Sequence, residues 1–141
     1  MNGPLSGIRV LALSQFIAGP YGSMLLGDMG AEVIKIEPLE PAANRTLPGP
    51  NHKGESFYHL AFNRNKKSIT LDLRTKMGYE AFCDLVRVSD VVWDNLRPGS
   101  MHHIGADYDT LKKINSKIIS CSITGYGPSG PYRDRPSFDI C

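Results

Sequence analysis

Three observations predict an α/β fold, an open and mostly parallel β-sheet with helices on both faces. Short runs rich in branched residues alternate with segments of helical period. Glycines, prolines and polar residues punctuate them at the joints. The first strand, loop, helix, glycine and second strand close within about thirty residues, the length a βαβ crossover needs.

In chain order, Ile8-Arg9-Val10-Leu11-Ala12-Leu13 reads as a strand, and Ser14 to Pro20 breaks it with Gly19-Pro20. Tyr21 to Met29 is expected to be helical, with Gly30 as its terminator, and Glu32 to Glu37 is the second strand. Pro38 to Gly54 contains prolines 38, 41, 48 and 50 and reads as an irregular excursion. Lys67 to Leu73 is a strand and Thr75 to Val88 a helix, because Phe82, Leu85 and Val86 repeat on one face that Tyr79 extends. Asp90 to Asp94 is a strand closed by Asn95 to Gly99, Asp107 to Ile114 a short helix capped by Asp107 or Asp109, and Ile118 to Ile123 the last strand. The Gly- and Pro-rich stretch from Gly125 to Pro131 is a loop. Repeats and low-complexity segments do not occur.

The chain's 141 residues make one domain long enough to bury a core, with 41% hydrophobic and 21% charged residues. A formal charge of +2 and a pI near 8.5 are too mild to indicate nucleic acid or a membrane surface as partner. Cys83, Cys121 and Cys141 have neither CxxC pairing nor metal-ligand spacing, so a reducing compartment and no metal are expected. Neither a signal peptide nor a membrane span is written in the sequence, which makes the cytoplasm the default, or an organelle after removal of a transit peptide.

Ligands of such sheets bind beyond the carboxyl ends of the strands, so three loops, 14–20, 95–99 and 124–139, should gather at one edge. The first opens a helix and is either a phosphate cradle or simply a tight turn; it has neither a GxGxxG nor a Walker pattern. Asn63-Arg64-Asn65-Lys66-Lys67-Ser68, with Arg74 beyond it, is the densest basic cluster: a grip on a polyanion, or a solvated turn. His102-His103 lacks a spaced partner for zinc, and no serine sits in a G-x-S-x-G elbow.

The ordered blocks go further. Leu5-x-Gly7-Ile8-x-Val10-Leu11, Ala18-Gly19-Pro20 and Gly27-Asp28-x-Gly30-Ala31-Glu32-Val33-Ile34-Lys35-Ile36-Glu37 resemble the opening of class III coenzyme A transferases, the group of formyl-CoA and carnitine CoA-transferases. Asn63 to Leu73 resembles their second block, Asp90-Val91 with Asn95-x-Arg97-Pro98-Gly99 the third, and Ser122 to Gly127 with Gly130-Pro131-Tyr132, Arg135-Pro136 and Phe138-Asp139 the fourth.

The resemblance implies that residues 1–141 are the N-terminal portion of a Rossmann-like large domain, with the small domain and the C-terminal return absent. It implies coenzyme A as cosubstrate, acyl-CoA and carboxylic acids as substrates, and an interlocked homodimer for the full-length parent. The positions it carries over for CoA contact are Ile17, Ala18, Pro38, Leu71, Asp72, Leu73, Arg74, Asn95, Leu96, Arg97, His103, Phe138 and Asp139. Ile17, Pro38 and His103 stand where formyl-CoA transferase has glutamine and two arginines, so CoA binding is implied without formyl specificity. Phe138 stands where related 2-methylacyl-CoA racemases carry a histidine base, which favours transfer over racemisation. The family's aspartate nucleophile is expected beyond Cys141, so no residue here receives the catalytic role. Two other readings stay open: a non-catalytic chain that binds CoA or pairs with a full subunit, and an NAD(P)-dependent oxidoreductase in which Glu37 grips the adenine ribose.

Overall fold

The computed structural model describes residues 3–40, 45 and 49–137. Its elements are β1 (Arg9–Leu13), α1 (Ala18–Asp28), β2 (Glu32–Glu37), β3 (Asn51–His52), β4 (Glu55–Ser56), α2 (Phe57–Phe62), β5 (Lys66–Thr70), α3 (Lys76–Arg87), β6 (Val91–Asp94), α4 (Ser100–His103), α5 (Tyr108–Ile114) and β7 (Ile119–Ser122). Five strands form one sheet in the order β5-β2-β1-β6-β7, and every pairing in it is parallel. Counted along the chain these are strands 3-2-1-4-5, the Rossmann order, so the α/β expectation holds. The direction of winding reverses between β1 and β6, and that reversal opens a crevice at their carboxyl ends.

The sheet is covered on both faces because its central strands are apolar on both. Val10, Ala12 and Val33 pack on one face with Leu26 of α1 and Trp93 of β6. On the other, Leu11, Leu13, Ile36 and Val92 meet Phe82 and Val86 of α3 and Leu111 of α5. The sequence-derived face of α3 is the buried one, since Phe82 and Val86 are fully enclosed and Tyr79 and Leu85 flank them. Thr75 caps α3 by accepting from Gly78 N–H, and Asp107 caps α5 by accepting from Thr110 N–H, which decides between Asp107 and Asp109. Gly30 ends α1 at φ +99°, a conformation that a side chain would strain.

Four local expectations are corrected. α1 starts at Ala18, not Tyr21, so Gly19 and Pro20 lie in its first turn, where proline's missing N–H costs nothing. β5 ends at Thr70, and Leu71 to Leu73 leave the sheet. The excursion after Pro38 is not irregular throughout, because Asn51–His52 pairs antiparallel with Glu55–Ser56. Two short helices, α2 and α4, had no sequence signal strong enough to predict them: they are six and four residues long, too short to show a period. Cys83 is buried and Cys121 half-buried.

Candidate functional site

Asn95 follows β6 directly and closes the crevice floor between β6 and β1. Its Oδ1 accepts from the backbone N–H of Gln15 at 2.8 Å, and its Nδ2 donates to the Gln15 carbonyl at 2.8 Å. The side chain thus acts as one more rung of the sheet where the strands diverge. Gly19 packs beside it: a Cβ there would stand 2.5 Å from Asn95 Oδ1 and 2.7 Å from Ser14 Cβ. Trp93 Nε1 donates to the Gly19 carbonyl at 2.9 Å and fixes the first turn of α1 from below. Phe16, between these anchors, sits at φ +57°, a left-handed conformation rare for a bulky side chain.

Beyond the ends of β1, β2 and β5 lies a cavity of about 330 Å³. Leu13, Ile36, Leu71, Leu73, Leu96 and Ile104 supply its apolar wall, and Ser14, Gln15, Lys35, Glu37, Pro38, Glu40, Asp72 and Arg74 complete it. A second cleft of about 450 Å³ shares Leu73, Arg74 and Ile104, and adds Thr75, Lys76, Tyr79 and His103. Leaving the sheet after Thr70 is what turns Leu71 and Leu73 into cavity walls. Arg74 stands at the junction, exposed, with Nε 2.9 Å from Asp72 Oδ1; that contact holds the Asp72 carboxyl below its ordinary range.

Lys35 and Glu37 share one face of β2 and are both buried, at 2% and 5% exposure. Burial alone raises the Glu37 carboxyl. Hydrogen bonds from Arg45 Nε (3.0 Å), Arg45 Nη2 (2.8 Å) and Ser68 Oγ (2.5 Å), with the charge of Lys35, outweigh it and hold the group at about 2. Burial pushes the Lys35 ammonium down, and Glu37 Oε1, 3.3 Å away, offsets part of that. Arg45 also donates to Glu55 at 2.9 Å, so two cations and two anions alternate in one network. Both oxygens of Glu37 are therefore occupied, which leaves it poorly suited to gripping a ribose.

The sequence-derived site residues fall into two groups. Leu71, Asp72, Leu73, Arg74 and Leu96 line the cavity together with Pro38, and His103 joins Arg74 in the second cleft. Ile17, Ala18 and Asn95 lie at the strand crossover, and Arg97 is exposed on the following loop. Phe138 and Asp139 lie outside the described residues, as does the comparison of position 138 with a racemase base. The basic cluster is not an anion grip at this edge. Arg64 pairs with Asp28 at 2.6 Å and Lys67 with Glu32 at 2.5 Å, at the end of α1 and the start of β2, on the amino side of the sheet. Lys66 donates to the carbonyls of Pro20 and Phe62 at 2.8 and 2.9 Å and to Asn63 Oδ1 at 3.1 Å, tying α1 to α2; burial brings its ammonium down to about 7. Sequence reasoning had Ser14 and Gln15 only as part of the 14–20 loop at this edge, and missed Lys35. The alternation Lys35-x-Glu37, two charges on one face of a central strand, was the available signal.

No helix among the described residues is long and apolar enough to cross a membrane. Residues 5–141 match the sequence model of CoA-transferase family III. The beta subunit of succinyl-CoA–L-malate CoA-transferase from Chloroflexus aurantiacus is 43% identical over 136 residues, covering 96% of this chain and 34% of that protein. Human succinyl-CoA:glutarate CoA-transferase is 42% identical over 137 residues, covering 96% of this chain and 31% of its own length. The chain thus spans about a third of the curated relatives it matches. A crystal structure of a CAIB/BAIF family protein from Brucella suis superposes with a TM-score of 0.92 at 42% identity, over 99% of this chain and 38% of that one. Sheet order, crevice and sequence blocks agree: the chain belongs to CoA-transferase family III.

Proposed function

We propose that this chain forms the CoA-binding part of an enzyme that moves CoA between carboxylic acids. The observation that carries the reading is the apolar cavity at the carboxyl edge of the sheet with Arg74 at its rim, in a chain of this family. A purine base and its phosphates need such a pairing of apolar wall and cationic edge. Succinyl-CoA donors in the names of the malate and glutarate relatives support a short dicarboxylic acid as one partner acid.

Transfer of this kind runs through a carboxylate nucleophile that first takes the acyl group and then the CoA. Glu37 and Asp72, which border the cavity, are both held in ion pairs, and the nucleophile is proposed to come from beyond residue 141. The Chloroflexus relative is described as a subunit, which supports a multi-subunit enzyme, here proposed to be a homodimer acting in the cytoplasm.

Calorimetric titration of the chain with CoA and, separately, with NAD tests the reading. Binding of CoA in preference to NAD is expected, weakened by Arg74→Ala. Preference for NAD would replace the transferase reading by the oxidoreductase one.

A further inference from the structure

Gln15 follows Leu13 and Ser14 at the end of β1, and its N–H and C=O both turn toward Asn95 on the β6 side, at 2.8 Å each. Arg9, at the other end of β1, turns its carbonyl the same way, accepting from Asp90 N–H at 3.0 Å. The odd-numbered residues of β1 therefore keep one orientation through to Gln15, and side chains of one parity share a face. That face is the one of Leu11 and Leu13, where the apolar wall of the cavity lies. Gln15 is half-buried and borders the cavity. Among the described residues its side-chain amide has no hydrogen-bond partner. A backbone pinned by two hydrogen bonds thus carries a free primary amide at the border of an apolar-walled cavity.

We propose that Gln15 reads the adenine of the bound CoA, its amide donating to a ring nitrogen and accepting from the exocyclic amine. This inference rests on the CoA reading above and names the part of CoA that the cavity takes. A primary amide presents a donor and an acceptor side by side, and an adenine edge presents the complementary pair in one plane. The secondary amides of the pantetheine arm are trans, so their N–H and C=O point to opposite sides and only one could meet Gln15. An anion would engage the donor alone and leave the acceptor facing negative charge. The leucine and isoleucine wall suits the faces of a flat base, and Arg74, exposed at the rim, is left for the phosphates.

Gln15→Met keeps the length of the side chain and removes the amide, while the backbone bonds to Asn95 remain. Parent and variant are titrated calorimetrically with adenosine 3′,5′-bisphosphate, inosine 3′,5′-bisphosphate, 4′-phosphopantetheine and CoA. Inosine puts a carbonyl oxygen where adenosine has its amine. The parent is expected to bind the adenosine compound roughly 10-fold more tightly than the inosine one, the discrimination of one bidentate pair. In Gln15→Met the adenosine affinity should fall roughly 10-fold, and the preference between the bases should vanish. Binding of 4′-phosphopantetheine should not change. Equal binding of the two bases by the parent, an unchanged adenosine affinity in the variant, or a base preference that survives in it overturns the proposal. A loss on 4′-phosphopantetheine also overturns it, since the amide then serves the arm or the cavity is distorted. If circular dichroism shows Gln15→Met unfolded, Gln15→Glu takes its place: its carboxylate faces the ring nitrogen without a donor, and unchanged adenosine affinity overturns the proposal. Absence of CoA binding by the unmodified chain overturns this inference together with the proposed function; CoA binding with an indifferent Gln15→Met overturns this inference only.

Discussion

Asn95→Ala tests how the crevice floor is held. The side chain makes two hydrogen bonds to one residue, accepting from Gln15 N–H and donating to Gln15 O, both at 2.8 Å. Each contributes about 1 kcal/mol net, and truncation leaves two half-buried backbone groups without partners, so the loss is about 2–4 kcal/mol. Against a total stability of about 5–15 kcal/mol for a domain, that is a large fraction. Asn95→Asp separates the two bonds. It keeps the acceptor for Gln15 N–H but turns a carboxylate oxygen toward the Gln15 carbonyl, so it should be no better than the alanine variant. Urea unfolding measures the loss, with the slope checked for constancy so that the midpoint reports stability alone. CoA titration follows the second consequence, because Gln15 borders the cavity and a slack floor should weaken binding. An Asn95→Ala variant within about 0.5 kcal/mol of the parent would refute the reasoning, since surface substitutions do as little.

Three further outcomes are expected. Glu37 has a folded-state pKa of about 2 against an ordinary 4.5, so its stabilisation, about 3 kcal/mol, is present above pH 4.5 and lost as pH falls toward 2. Unfolding curves of the parent and Glu37→Gln should therefore converge as the medium is acidified; a gap independent of pH would count against the assignment. Gly19→Ala places a Cβ 2.5 Å from Asn95 Oδ1 and should cost about 1–3 kcal/mol by crowding the floor, seen as a lowered Tm; a silent substitution would show that the first turn of α1 can yield. Asp107→Ala removes the cap of α5, bonded to Thr110 N–H at 3.1 Å and Thr110 Oγ1 at 3.0 Å, and should cost about 1 kcal/mol in the same assay; no loss would mean that water replaces the cap.

The alternation of branched runs and helical periods was enough to set the fold class, because a strand buried on both faces and a helix with one apolar stripe leave different patterns in the chain. Phe82 and Val86 show it on α3, and Val10 to Leu13 on β1, each enclosed as its period requires. The motif blocks likewise carried the family, and Leu71 to Arg74 and Leu96, which the resemblance implies for CoA contact, line the cavity. What the sequence left open depended on partners distant along the chain. The basic run at 63–68 could be read either as an anion grip or as a solvated turn because its neutralising carboxylates, Asp28 and Glu32, lie more than thirty residues earlier. The sequence did not show that Lys35 and Glu37 are buried; their ion-pair and hydrogen-bond partners, Arg45 and Ser68, come from later in the chain. Asn95 gave no sign that its amide would complete a rung with Gln15, eighty residues away. Local period is written in neighbouring residues, whereas the pairing of a buried charge or an amide is decided by which strands the tertiary fold sets side by side.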